Sequence, residues 1–560
     1  MKSKLLFVLA SSLLLLSCGS GGGNSTNYNE EVSIASNGAT SAVSLPTDSV
    51  SSSFSLIDES GKEVTATDGV YTISSAGTYV ASGKLEEGQI YVNAPSQVVE
   101  IDLQGASLSS SSVSPIFAYD CEDLVIKAKK DYDNYVYDNR STDYSSSTEE
   151  TVGQAAIYVR NGDLKINGQG SLSVTSLANS GIQSKDNVTV KNVTMLVKAQ
   201  NNGIKGNDKV TIEENPTLGI VAGNNGIRTS NSDKGTNAQH GYIHINGGNI
   251  TINSYGDGID AAYAVSFGTS VDENNVTYTP TVDIYTNIYS SYSYSSSTNS
   301  AKYAYGPGGN PGGGGFDGGG MSGGKSAEKA DDSAKGIKAV ESIEVNAGNI
   351  YCYAYDDGLH TNADALENGS TGTANIDIKG GTLTLRVSDD AVHADGTLTV
   401  SGGTLSVVES HEGLEGKNVV VSGGTTTVVG SDDGVNASNS LTISGGRLDV
   451  TVSPSGDTDG IDSNGSISIT GGVTITRGPN SEMAAPLDAD GSTKMSGGTL
   501  IVVGYAPRNL STSLQKTTSS AGLSSGSHIV TVGSDTISYT NSYSYSGSTT
   551  VYGSSGATVK

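Results

Sequence analysis

The chain has 560 residues, with 58 acidic against 31 basic side chains and a net charge of −27. That imbalance argues against nucleic acid as a partner and points to cations or a strongly solvated surface. There is no Trp to build the usual sugar-stacking surface, but there are 28 Tyr, and three cysteines in so long a chain make no disulfide framework.

Residues 1–17 read as an export signal: Lys2 and Lys4 precede an apolar run from Leu5 to Leu16 that is too short to span a bilayer. Cys18, directly after that run, stands where bacterial lipoproteins carry their lipid. Residues 18–30 follow as a Gly/Ser tether. The expectation is a bacterial extracytoplasmic protein, monomeric, held by lipid on Cys18 to a membrane at the cell surface.

Residues 31–135 are β-rich and predict an N-terminal cap with the first coils. A polar loop near 138–152 leads into a repeat over 153–504. Its marker is a small residue followed by an aliphatic one: Gly181-Ile182, Gly203-Ile204, Gly226-Ile227, Gly258-Ile259, Gly336-Ile337, Gly358-Leu359, Ala391-Val392, Gly413-Leu414, Gly434-Val435 and Gly460-Ile461. The commonest step is 21–23 residues, and Gly380-Gly381, Gly402-Gly403, Gly423-Gly424 and Gly445-Gly446 keep the same step. A fixed period of this size marks a solenoid. Between markers lie short β-branched runs such as Thr382-Leu383-Thr384-Leu385 and Val419-Val420-Val421, with no sustained helical spacing. Three short strands per repeat predict an all-β, right-handed parallel β-helix of about a dozen coils. A Tyr/Ser- and Gly-rich insertion is expected over about 265–330, and residues 505–560 predict a C-terminal β cap. Cys352, inside the strand-like run Ile350-Tyr351-Cys352-Tyr353, reads as a buried thiol.

The residue before each marker runs Asn202, Asn225, Asp257, Lys335, Asp357, Asp390, Glu412, Asp433 and Asp459. The residue after it runs Lys205, Arg228, Asp260, Lys338, His360, His393, Glu415, Asn436 and Asp462. If the aliphatic residue points inward, the residue after it points outward. Stacking then places Asp356, Asp357, Asp389, Asp390, Glu412, Glu415, Asp432, Asp433, Asp459 and Asp462 along one edge. Carboxylates one strand apart repel unless a cation sits among them. Hard oxygen donors at flexible spacing suit Ca²⁺ better than Mg²⁺. Asp-Gly and Asn-Gly turn chemistry accounts for one acid per turn. It does not account for the pairs at 356–357, 389–390 and 432–433. Lys205, Arg228, Lys335 and Lys338 on the same edge are candidates to pair with a ligand's carboxylates or to neutralise the acids beside them. His360 and His393 read as solvated.

The stretches Ala76-Gly77-Thr78-Tyr79-Val80-Ala81-Ser82-Gly83, Gly88-Gln89-Ile90-Tyr91-Val92-Asn93-Ala94 and Glu100-Ile101-Asp102-Leu103-Gln104-Gly105-Ala106 give the chain a family resemblance. With the Asp356-Asp357-Gly358 and Asp432-Asp433-Gly434-Val435-Asn436 coils and the Tyr305-Gly306-Pro307-Gly308-Gly309 start of the glycine tract, it resembles the bacterial calcium-binding, carbohydrate-binding β-helix proteins related in fold to family 9 polysaccharide lyases. The resemblance implies a right-handed β-helix, bound Ca²⁺ and adhesion without turnover to plant cell-wall polysaccharide, acidic polygalacturonate and cellulose included.

Three functions are open on the residues. The first is calcium-dependent, non-catalytic binding of such a polysaccharide. The second is a calcium-dependent pectate-type lyase, with Lys335 or Lys338 as the base that removes the proton beside a uronate carboxyl. The third is a structural adhesin or spacer in which Ca²⁺ only stiffens the rod.

Overall fold

A computed structural model describes residues 53–141, 152–233, 240–287, 293–295, 300–302, 334–366 and 369–560. The segments read as an export signal and tether, Cys18 between them, and the glycine tract lie outside the described residues. The elements named among the described residues are all strands, and one 39-stranded sheet takes in most of them.

The repeat explains the pairing. Ile182 stands beside Ile204, Ile204 beside Ile227, Ile227 beside Ile259, and Ile259 beside Ile337, all in parallel strands. The same row continues through Leu359, Val392, Leu414, Val435 and Ile461. The residues of this row are fully buried. Each such aliphatic side chain removed from water contributes about 1.5–3 kcal/mol, and it gains this only with a neighbouring repeat above and below. The two other strands of a repeat stack the same way. Ile343, Ile376 and Leu398 form one row, and Ile350, Leu383 and Leu405 another. The rows face one core, which runs from Phe54 to Tyr552.

The Gly-Gly positions are set by backbone geometry. Gly403, Gly424 and Gly446 have φ of +74°, +72° and +70°. A Cβ on Gly424 would lie 2.7 Å from the Gly402 carbonyl of the preceding repeat. Only glycine meets both the left-handed turn and the close approach.

One boundary differs from the sequence expectation. The insertion is shorter than 265–330: Ala264–Phe267 and Thr281–Thr286 belong to the main sheet, paired with strands on both sides. The alternation of Thr281-Val282-Asp283-Ile284-Tyr285-Thr286 is a strand pattern that the Tyr/Ser-rich surroundings conceal. In the stretch expected as a C-terminal β cap, Leu510–Thr512 still stacks in parallel on Thr493–Met495, Ser548–Gly553 folds back antiparallel on Thr499–Gly504, and a second core forms with Ile475, Ile501 and Val503. The fully buried Arg477 ties the two cores together. It donates to Asp449 at 2.6 Å and to Asn541 at 2.8 Å, and lies over the Tyr539 ring.

Candidate functional site

Backbone register builds the acidic edge. Gly336 donates its N–H to the Asp357 carbonyl, Gly358 to Asp390, Ala391 to Glu412, Gly413 to Asp433 and Gly434 to Asp459. The residues before the markers therefore stack in one column. Beside it, the residues after the markers form a second column: Lys205, Arg228, Asp260, Lys338, His360, His393, Glu415, Asn436 and Asp462.

The first column is also linked through side chains. Asn225 Oδ1 accepts the N–H of Asp257 at 2.9 Å, and Asp257 Oδ1 that of Lys335 at 2.8 Å. Asp357 Oδ1 accepts from Asp390 at 3.1 Å, and Asp433 Oδ1 from Asp459 at 2.8 Å. One oxygen each of Asp257, Asp357 and Asp433 is thus committed to the turn of the next repeat. The turn-chemistry reading holds for that oxygen.

Between Lys335 and His360 the protein supplies its own cation. Lys335 is buried, and its Nζ donates to Asp357 Oδ2 at 2.5 Å and to Asp356 Oδ2 at 2.8 Å. Burial by itself lowers the amine pKa, but Asp357 and Asp356 outweigh it and the net shift is upward. His360 Nδ1 lies 2.6 Å from the same Asp357 oxygen. Burial raises the Asp357 pKa; the hydrogen bond from His360 and the charge of Lys335 prevail and hold it below the usual carboxylate range.

The next repeats carry more acid than cation. His393 Nδ1 lies 2.9 Å from both Asp390 Oδ2 and Glu415 Oε2. Burial alone lowers the His393 pKa; the two carboxylates reverse this and push it up to about 10. Of the two acids, Asp390 is pushed up to about 7 by burial and by neighbouring Asp357, while the bond from His393 holds Glu415 down. Burial and repulsion from Asp390 push Glu412 up to about 8. Burial and nearby acids likewise push Asp459 up to about 7 and Asp462 up to about 6. These acids ionise less readily than free carboxylates for want of another positive charge.

Ligand atoms converge in five overlapping sets, each within 4.8 Å: Asp356/Asp357/Asp389, Asp357/His360/His393, Asp389/Asp390/His411, Asp390/His393/Glu415 and His411/Glu412/Asp432. Seven of the ten acids expected as metal ligands therefore meet. Asp433, Asp459 and Asp462 fall in no such set among the described residues; they continue the columns beyond them. The oxygen-rich donor set fits a hard divalent cation. The histidines are the residues that sequence reasoning underrated. His360 is buried rather than solvated, and its ring centroid lies 4.8 Å from that of His393. Their shared position after the marker was the available signal.

Of the basic candidates, Arg228 lies 3.3 Å from Asp260 and Lys335 is bound as described, so both neutralise acids of their own edge. Lys205 and Lys338 occupy the same column as Arg228.

A family model described as carbohydrate-binding domain-containing protein matches residues 67–371, 363–413 and 408–556. The chain belongs to this carbohydrate-binding domain family. A relative with the same description, from Acetivibrio thermocellus, is 27% identical over 128 residues, covering 23% of this chain. The matched region spans 44% of that relative's length. A solved structure described as the polysaccharide lyase-like protein from C. thermocellum, in a gadolinium derivative, is 27% identical, covers 40% of this chain and 84% of its own, and superposes with a TM-score of 0.35.

Proposed function

We propose that the chain is a right-handed parallel β-helix whose acidic edge binds Ca²⁺ and, through it, an acidic cell-wall polysaccharide of polygalacturonate type, without turnover. One observation carries the reading: in-register carboxylates outnumber cations from Asp389 to Asp462, and burial with mutual repulsion keeps Asp390, Glu412, Asp459 and Asp462 above the normal range. A divalent cation would supply the positive charge these groups lack. Asp389, Asp390, Glu412, Glu415, Asp432 and Asp433 would hold it, with Asp459 and Asp462 extending the row, while Asp356 and Asp357, already neutralised by Lys335, border the site. A chain at −27 otherwise repels a polyuronate, so a bridging cation is what makes such a partner accessible.

The state of Lys335 favours binding over lyase chemistry. A general base must be neutral, whereas two carboxylates keep this amine protonated. Membrane attachment through Cys18 and a cell-surface location complete the proposal.

Calorimetric titration with Ca²⁺ tests the edge. The triple variant Glu412→Gln/Asp433→Asn/Asp459→Asn, folded by its melting curve, should lose binding that the parent chain displays. Equal binding by the variant, or none by the parent, would remove the calcium reading.

A further inference from the structure

The two histidine repeats differ in donor chemistry from the repeats beyond them. Register sets His360 beside His393 and His393 beside Glu415, in the column that follows the markers. His360 shares one oxygen of Asp357 with the ammonium of Lys335, and its ring lies against that of His393 with centroids 4.8 Å apart.

His393 is held from both sides. Its Nδ1 lies 2.9 Å from Asp390 Oδ2 and 2.9 Å from Glu415 Oε2. Its Nε2 lies 3.4 Å from Asp395 Oδ1. The other Asp395 oxygen accepts the Ala363 N–H at 2.9 Å, which anchors this carboxylate to the preceding repeat. A carboxylate behind one ring nitrogen keeps a proton there and turns the lone pair of the other nitrogen toward a metal. Here that lone pair faces two carboxylate oxygens, and three electron-rich atoms so close together require a positive charge among them. A proton on Nδ1 points along one line and serves one oxygen well. A dication serves all three.

We propose that His393, Asp390 and Glu415, with His360 beside them, bind a transition-metal dication of the Zn²⁺ class. Ca²⁺ takes about six to eight oxygens and is a poor match for imidazole, whereas Zn²⁺ is satisfied by a tetrahedral set that mixes nitrogen and oxygen. The spacing agrees. Bonds of about 2.0 Å in a tetrahedral site put neighbouring donors about 3.3 Å apart, so the 2.9 Å gaps open by only a few tenths of an ångström to admit the ion. His360 has a donor atom within 4.8 Å of one on His393 and supplies the second imidazole. The site shares Asp390 and Glu415 with the acidic edge, and it stands whether or not Ca²⁺ occupies the oxygen-only repeats.

The test is calorimetric titration of the metal-free full chain with Zn²⁺, repeated in millimolar Ca²⁺, with Co²⁺ as a visible probe. The parent should bind Zn²⁺ with micromolar affinity or better in both buffers, and Co²⁺ should give the intense d–d bands of a tetrahedral ion. His393→Gln should weaken Zn²⁺ binding about a hundredfold or more and abolish those bands. Asp395 is a positioning residue: Asp395→Asn should weaken binding about tenfold and shift the bands rather than remove them. Melting curves report that both variants have folded. X-ray absorption of the Zn²⁺-loaded parent needs no variant and should show imidazole in the metal's shell. Ca²⁺ titration of the same protein reads the oxygen-only repeats, so loss of Ca²⁺ binding alone would strike the proposed function and leave this site standing. No Zn²⁺ uptake by the parent, an oxygen-only shell, complete displacement by millimolar Ca²⁺, or equal affinity in His393→Gln would overturn the site.

Discussion

The knot of Lys335, Asp356, Asp357 and His360 gives the sharpest energetic prediction. Replacing Asp357 by Asn keeps the shape and retains an oxygen for the Asp390 N–H, now at 3.1 Å. It removes the charge that lies 2.5 Å from a buried ammonium and 2.6 Å from His360. Breaking a buried pair by deleting one partner costs about 3–5 kcal/mol. Asp356 still reaches Lys335 at 2.8 Å, which places Asp357→Asn near the lower end, about 3 kcal/mol. Stacked repeats open locally, so hydrogen exchange with peptide resolution is the right assay. In EGTA at neutral pH, exchange of peptides covering 335–340 and 357–362 should accelerate about 150-fold. The double variant Lys335→Met/Asp357→Asn removes the stranded ammonium as well, and should recover to within about 1 kcal/mol of the parent. A single variant within twofold of the parent, or a double variant no slower than the single, would refute this account of the knot.

Three further outcomes follow from the same physics. Without metal, the fold binds extra protons through Asp390, Glu412, Asp459, Asp462 and His393 between their ordinary values and those raised to about 6–10. Stability should therefore fall as pH rises from about 5 to about 8. Ca²⁺ should remove that fall, and a higher melting temperature at pH 8 than at pH 5 in EGTA would contradict it. Gly424→Ala should destabilise by at least about 1 kcal/mol more than Gly219→Ala, since Gly424 has a φ of +72° and a Cβ there meets backbone oxygen, whereas at Gly219 it meets only the Leu196 side chain; urea melts of the two variants decide it. Arg477→Met removes the partner of Asp449 Oδ1 and of Asn541 Oδ1 while Arg447 still holds Asp449 Oδ2 at 2.6 Å, and costs about 3 kcal/mol. Limited proteolysis should then cut within residues 505–560 at protease levels the parent withstands.

Much of the architecture was legible because the repeat records it directly. The aliphatic marker had to face inward, and its row from Ile182 to Ile461 pairs as the spacing requires. The Gly-Gly step reports a left-handed turn that only glycine fills. The insertion boundary was less legible, because Thr281–Thr286 sits in Tyr- and Ser-rich surroundings and composition outweighed alternation. At the site, the two columns could be written from sequence, but their internal balance could not. Whether Lys335 turns toward Asp357 or toward solvent depends on burial at the turn, which periodicity does not encode. The same holds for His360 and His393, whose row was visible and whose enclosure was not.

The most direct test of the central claim is retention of the full chain on polygalacturonate with Ca²⁺ and with EGTA, followed together with the ultraviolet absorbance of unsaturated cleavage products. The account predicts retention in Ca²⁺, release in EGTA and no rise in absorbance. A calcium-dependent rise would make the protein a lyase and return attention to Lys335 and Lys338, and absence of retention in Ca²⁺ would contradict the acidic edge as a polysaccharide-binding site.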